Sequence, residues 1–404
     1  MTRPLVLVMF GATGDLFSRK LLPSLVRLHA QGRLGDVRVI GTGRHAPDDG
    51  WVDDLREAAA DAVPDEAKDS VDPVVDRISF VVSSADDGED LAREVADAEE
   101  ELGDVDRLIY LSVPPTAMVD LLAMLGDTGL ADGARIVVEK PYGLDAASGR
   151  SLDAALHGVV DEDRVYRIDH FLGSAAIADL AALTPDGVQE VQVDVPETLG
   201  LEGRAGFYES TGCLRDMVVT HLAQLVGVIA AEDAEGEAWR DARAEVFEAM
   251  AALKDDDTVL GQYVGYRDED DVDDGSTVET YAATILHLQD GPWSGIPFVV
   301  RTGKNLAVNR SVVTVLGLDG SERVIDVDAA EEGEALDPYA RLLAAVAAGD
   351  ASRFVRGDHA EQLWRVVGPV LDDDRPPVPY EPGSWGPAEA DELPGAAGWS
   401  LARD

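Results

Sequence analysis

The chain has 404 residues, 46% of them hydrophobic, and carries 33 Lys and Arg against 79 Asp and Glu, a formal net charge of −46. That length predicts two domains, and that charge excludes an ordinary nucleic-acid or anionic-membrane partner. Cys213 is the single cysteine, which excludes an intrachain disulfide and a cysteine-based metal site, and no metal is expected.

Pro4 to Phe10 is a continuous apolar run ended by Gly11, which predicts a buried parallel strand. Leu16, Leu21, Leu22, Leu25 and Leu28 then recur at helical spacing. Further strands are predicted at Val37 to Gly41, Ile78 to Val82, Arg107 to Val113, Arg135 to Glu139 and Val165 to Asp169. Helical patterns fall between the later ones, at Leu91 to Leu102 and Ala117 to Leu125. This alternation predicts a doubly wound parallel sheet. After about residue 172 the pattern changes. Val188 to Val195 and much of Tyr281 to Leu288 alternate with period two, as strands of an open sheet with one wet face do. Helices at Arg215 to Ala231 and Pro338 to Ala348 would cover its other face. Asp169 and His170 fall at the junction, where a substrate should meet a cofactor.

The acid is spread along the chain, in runs such as Asp268-Glu269-Asp270-Asp271 and Asp372-Asp373-Asp374 that read as solvated loops. Lysine is confined to Lys20, Lys68, Lys140, Lys254 and Lys304. An acid-rich, lysine-poor surface suits a cytoplasm of very high salt, where self-repulsion is screened, so a halophilic source is expected. The N-terminal apolar run leads into a glycine turn rather than a cleavage site, and Met217 to Ala231 is too short to span a bilayer. A soluble, cytoplasmic protein is expected.

Gly11-Ala12-Thr13-Gly14-Asp15-Leu16 follows a strand and opens a helix. Glycines let a backbone approach a pyrophosphate, which the free N–H groups of the helix then hold. The motif has one glycine fewer than the usual dinucleotide fingerprint, so a tight structural turn is the competing reading. The second strand ends Ile40-Gly41-Thr42-Gly43-Arg44. An arginine there can pair with a 2′-phosphate, where an acid would favour NAD, so NADP is expected with NAD as the alternative. His221 lies in an apolar helix between Met217 and Leu225, where a hydrogen-bonded core histidine is the bland alternative to a proton acceptor.

These residues resemble the glucose-6-phosphate dehydrogenase family. Beside the glycine turn, the likeness rests on Tyr110-Leu111-Ser112-Val113-Pro114-Pro115, Val138-Glu139-Lys140-Pro141-Tyr142-Gly143 and Tyr166-Arg167-Ile168-Asp169-His170-Phe171-Leu172-Gly173. It continues through Glu202-Gly203-Arg204, Arg215-Asp216 with His221-Leu222, Val259-Leu260-Gly261-Gln262-Tyr263, Arg301-Thr302-Gly303-Lys304, Phe354-Val355-Arg356 and Gly386-Pro387-Ala388-Glu389-Ala390. The resemblance implies an α/β Rossmann domain over residues 1–171, followed over 172–404 by an α+β domain with a large, mainly antiparallel sheet.

It also implies roles. His221 is the general base and Asp169 the carboxylate behind it, for oxidation of a sugar at C1 with hydride passing to a nicotinamide. His170 and Lys304 hold the sugar phosphate, Glu197 and Asp216 the ring hydroxyls, and Lys140 lies between sugar and coenzyme. Pro114 joins Gly11 to Leu16 and Arg44 on the coenzyme side. Glu197 as a surface acid and Asp216 as a helix cap are the structural alternatives.

The chain departs from the family at three places. Phe171 lacks a phosphate-binding hydroxyl, Ser174 puts a small neutral donor where a cation is usual, and Asn309, with Arg310 beside it, occupies the spacing of another basic residue. Fewer phosphate ligands leave open an unphosphorylated aldose, or a silent sugar-phosphate-binding relative. A deletion between Val313-Thr314-Val315 and Asp337-Pro338-Tyr339 shortens the large sheet, which is the family's dimer surface and bears on whether a homodimer forms.

Overall fold

The computed structural model describes residues 3–232, 234, 236–328, 336–371, 373 and 375–403. Asp372 and Asp374 of the second acidic run, and residues 329–335 within the shortened stretch, lie outside the described residues. The chain forms two compact units. One comprises Met1–Gly143, Ala147–Gly173 and Glu331–Gly357, the other Leu144–Ala146, Ser174–Ala330 and Asp358–Asp404.

The first unit is built on β1 (Leu5–Phe10), β2 (Val37–Gly43), β3 (Ile78–Val82), β4 (Asp106–Leu111), β5 (Arg135–Val138) and β6 (Val165–Arg167). All pair in parallel, in the order β3-β2-β1-β4-β5-β6. The whole of β1 is buried, which explains its unbroken apolar run. The chain winds outward from β1 to β3 and then restarts on the other side at β4. The carboxyl ends of β1 and β4 therefore flank the switch point, where open α/β sheets bind ligands.

The helix Pro338–Ala348 was expected over the second sheet; it belongs to the first unit instead. Leu342, Leu343 and Val346 join the core formed by Leu5, Leu7, Leu22, Leu25 and Leu28. Asp337 fixes this docking. Its carboxylate accepts from Ala340 N–H at 2.9 Å as the helix N-cap, accepts from Ser24 Oγ at 3.0 Å, and is ion-paired with Arg27. Periodicity reports an apolar face but not its destination.

The second unit carries β7 (Val188–Pro196), β8 (Thr258–Tyr263), β9 (Tyr281–Leu286), β10 (Phe298–Gly303), β11 (Val312–Gly317), β12 (Glu322–Asp326) and β13 (Val378–Tyr380). Their order is β12-β11-β7-β10-β9-β8-β13, antiparallel except for the β7/β10 and β8/β13 pairs. The expected wet face is not wet. Glu190, Gln192 and Asp194, which alternate along one face of β7, are all buried. The C-terminal segment covers them: Gly395 N–H donates to Glu190 Oε2 at 2.8 Å, Gln192 Nε2 to Gly398 O at 2.9 Å, and Ser400 N–H to Gln192 Oε1 at 2.8 Å. Asp194 and Arg301 form a two-bond pair at 2.6 and 2.9 Å, with the guanidinium 4.1 Å from the Trp399 ring centroid and 4.9 Å from that of Trp385.

By length and composition Ala205–Ala230 could cross a membrane, but it is almost entirely buried within the protein. Nor is it one helix. Gly212, at φ 65° and ψ 177°, interrupts it, so the helical rod restarts beyond that residue.

If the C-terminal segment is what keeps the sheet's polar face dry, Trp399→Ala should destabilise the protein by about 3–5 kcal/mol. The denaturation midpoint in molar KCl measures this, and an unchanged midpoint would contradict it.

Candidate active site

On the first unit, the sequence-predicted coenzyme residues lie along the carboxyl edge of the parallel sheet. β1 ends at Phe10 and the chain turns at Gly11, with φ +82° and a Cβ position only 2.2 Å from the Ser112 carbonyl oxygen. Only glycine tolerates both. Gly11 N–H donates to Thr42 O at 3.1 Å, and Gly14 N–H closes the turn on Gly11 O at 2.9 Å. Ala12 is buried, while Thr13, Gly14 and Asp15 are exposed and Leu16 is half-buried. The backbone is thus presented to a ligand rather than covered by its own side chains. Arg44 is exposed just beyond β2, and Pro114 precedes the helix Pro115–Asp127 beyond β4.

Lys140 follows β5, half-buried, with a cis peptide to Pro141. Asp169 and His170 follow β6. Asp169 is 1% exposed, and its Oδ1 accepts from Phe171 N–H at 2.9 Å, which orients the carboxyl group. His170 is half-buried and stacks on Tyr339 with ring centroids 5.9 Å apart and planes 3° apart, while the Phe171 ring meets it edge-on at 4.9 Å. Tyr339 was missed from the sequence; only its position beside Asp337-Pro338, far along the chain, hints at it.

Glu139 was missed as well. It is buried, and Tyr110, itself fully buried, donates a hydrogen bond to its Oε1 at 2.5 Å. Burial pushes this carboxyl up to about 7, against the opposing effects of the Tyr110 hydrogen bond and the Lys140 charge.

In the second unit, His221 and Asp216 share Leu214–Leu222, a segment wound with π-type hydrogen bonds, and both are buried. π-Turns inside a helix are frequent at functional sites. Lys304 and Glu197 are one residue beyond the parallel β7/β10 pair, where Pro196 lies opposite Gly303. Adjacent carboxyl ends bring them together as an ion pair. Lys304 is anchored by its backbone: N–H to Thr280 O at 2.9 Å, and O accepting from Tyr380 Oη at 2.7 Å. Its ammonium lies 5.9 Å from the Tyr208 ring centroid.

Ser174 does not serve as a free donor. It is buried, its hydroxyl donates to Val327 O at 2.5 Å, and its oxygen accepts from Ala176 N–H at 3.1 Å, capping the local turn. Its hydroxyl hydrogen is thus committed to the backbone. Arg310 is exposed, with its N–H donating to Pro196 O at 3.2 Å, next to Glu197, and its guanidinium 3.3 Å from Asp326.

The chain matches the model of "Glucose-6-phosphate dehydrogenase, NAD binding domain" over residues 8–179, and that of "Glucose-6-phosphate dehydrogenase, C-terminal domain" over 181–317 and 318–400. It is 33% identical to glucose-6-phosphate 1-dehydrogenase 1 of Mycobacterium tuberculosis, covering 98% of this chain and 96% of that protein. It is 31% identical to glucose-6-phosphate 1-dehydrogenase of Zymomonas mobilis, covering 95% and 96%. Among solved structures it is similar to glucose-6-phosphate 1-dehydrogenase from Mycobacterium avium, with a TM-score of 0.86, 32% identity and 99% of each chain covered. It is also similar to a glucose-6-phosphate dehydrogenase in complex with glucose 6-phosphate, with a TM-score of 0.84, 26% identity, and 99% and 98% covered.

The raised pKa of Glu139 predicts a pH effect of definite sign. The folded protein holds this proton more tightly than the unfolded chain, so Glu139 costs stability as pH rises through 4.5 toward 7, and the full cost persists above that. Between about pH 5 and about pH 8, Glu139→Gln should therefore gain on the wild type by roughly 2–3 kcal/mol. Denaturant titrations of both proteins in high salt measure the difference, and one that stays constant with pH would contradict the assignment.

Proposed function

The chain belongs to the glucose-6-phosphate dehydrogenase family, and we propose that it oxidises D-glucose 6-phosphate at C1 to 6-phospho-D-glucono-1,5-lactone. The observation that carries this reading is the end-to-end match to both domain models in a chain that retains His221, Asp169, Lys140 and Lys304 at motif positions. When bound, a nicotinamide coenzyme supplies the hydride acceptor. The Gly11 to Leu16 turn suits its pyrophosphate, because Thr13, Gly14 and Asp15 leave the turn exposed beside the switch point. Pro114 lines the same edge, and Arg44 supports NADP over NAD, being a cation at the strand end where an acid would hold a ribose diol.

His221 takes the C1 hydroxyl proton as the C1 hydrogen leaves with both its electrons, and the C1–O bond becomes the lactone carbonyl. Asp169 fixes the imidazole tautomer and stabilises the imidazolium. Lys140 is placed between sugar and coenzyme. His170 and Lys304 anchor the phosphate, and Glu197 and Asp216 accept from ring hydroxyls. The Lys304–Glu197 ion pair supports this division, since one carboxylate holds the ammonium ready for an anion while remaining open to hydroxyl donors.

A second reading, an unphosphorylated aldose, is favoured by Phe171 and by the commitment of Ser174 to Val327 O. Each charge-assisted bond lost to a phosphate is worth about 1.5–3 kcal/mol, less in strong salt.

The net charge of −46 supports a halophilic, cytoplasmic enzyme. A homodimer through the large sheet would use the outer surface of the C-terminal segment, because that segment occupies the polar face of the sheet.

In molar KCl the protein should turn over glucose 6-phosphate with higher kcat/KM than glucose, and lose activity when the salt is removed. Preference for glucose would establish the second reading, and no turnover with either would end both. His221→Asn should lower kcat by at least about a hundred-fold while sparing sugar-phosphate binding, and a near-normal rate would reassign the base. Arg44→Asp should raise the KM for NADP by roughly ten-fold relative to that for NAD; an unchanged ratio removes Arg44 from the coenzyme site.

A further inference from the structure

The helix that carries Asp216 and His221 has an unusual beginning. Gly212 breaks the preceding helix, so the next N–H groups have no acceptor one turn back. Both find one on Glu279, far along the chain. Cys213 N–H donates to Glu279 O at 2.9 Å, and Leu214 N–H donates to Glu279 Oε1 at 3.0 Å. The contact is close enough to dictate the glycine: a Cβ on Gly212 would lie 2.4 Å from Glu279 Oε1.

A buried carboxyl is an expensive cap. Glu279 is 8% exposed, and burial raises its pKa against the opposing effects of the Leu214 N–H and the Arg215 charge. A backbone carbonyl alone would satisfy Cys213 from any residue type at this position. Only a side chain of this reach also satisfies Leu214. The next residue fastens a second functional group: Thr280 O accepts from Lys304 N–H at 2.9 Å, and Thr280 Oγ1 lies 2.9 Å from the Tyr380 Oη that donates to Lys304 O. Asp216 and His221 come two and seven residues after Leu214, inside the π-wound segment. Their rotation about the helix axis is therefore set close to its start.

We propose that Glu279 is a positioning residue: it fixes the start, and hence the rotation, of the helix bearing Asp216 and His221, from the same short segment that anchors Lys304. The inference rests on the dehydrogenase reading for its functional consequence, but not for its structural one. It touches no substrate, and its effect passes through the helix.

Three variants separate reach from charge. Glu279→Ala removes the acceptor, Glu279→Asp keeps the charge but is one methylene shorter, and Glu279→Gln keeps both reach and an acceptor oxygen. Alanine and aspartate should lower kcat on the order of ten- to a hundred-fold, as sub-ångström misplacement of a base does, with the KM for the coenzyme nearly unchanged. Glutamine should restore kcat to within roughly three-fold of the wild type, because the Leu214 bond survives. Amide hydrogen exchange from Cys213 to Leu222 should accelerate in the first two variants and not in the third. Wild-type turnover decides the dehydrogenase reading by itself, while exchange needs no turnover and decides the role of Glu279 even in an inactive protein. Wild-type kcat and exchange in Glu279→Ala, or a glutamine variant as impaired as alanine, would overturn the proposal.

Discussion

Gly11 and Ser112 meet at the carboxyl ends of two parallel strands, so closely that a Cβ on Gly11 would be 2.2 Å from the Ser112 carbonyl oxygen. Parallel pairing makes that meeting unavoidable, because adjacent strands must then end on the same edge. The second unit uses the same constraint within a mainly antiparallel sheet. Its β7/β10 pair is parallel, and Glu197 and Lys304 emerge side by side as a result. An antiparallel β7/β10 pair would have put them at opposite ends of the sheet. Strand direction thus brings Gly11 to Ser112 in one unit and Glu197 to Lys304 in the other.

Buried charge is handled differently from the surface charge that dominates the composition. The excess of acid lies mostly on solvated positions. Three interior carboxyls are each tied to a specific donor. Glu139 takes the Tyr110 hydroxyl, Glu279 the Leu214 N–H, and Asp194 both arms of Arg301. Burial raises the pKa of all three, and the bonded partners oppose that rise. Glu139 borders Lys140, and Glu279 begins the helix that carries His221. The third, with Trp385 and Trp399 over the guanidinium, fastens the C-terminal segment to the sheet.

Much of this was legible in the residues. The unbroken apolar run of β1, the glycine turn and the alternation of strands and helices specify a parallel sheet, because periodicity and turn geometry are local properties. The motifs around Lys140, Asp169, Asp216, His221 and Lys304 were readable for a similar reason: each is a short run whose order along the chain carries the resemblance. The polar stripe of β7 misled. Alternation reports two kinds of face, and a face lined with Glu190, Gln192 and Asp194 reads as wet unless something polar enough covers it.

By itself, then, the sequence determined the two folds and the family. What it left to tertiary structure were partnerships between distant segments. The helix Pro338–Ala348 goes to the first unit because Asp337 finds Ser24 and Arg27. Ser174 is spent on Val327 O, and Glu279 begins a helix whose residues lie about sixty positions earlier. Hydrogen-bond acceptors look alike in a one-dimensional chain, and only folding decides which donor each one meets.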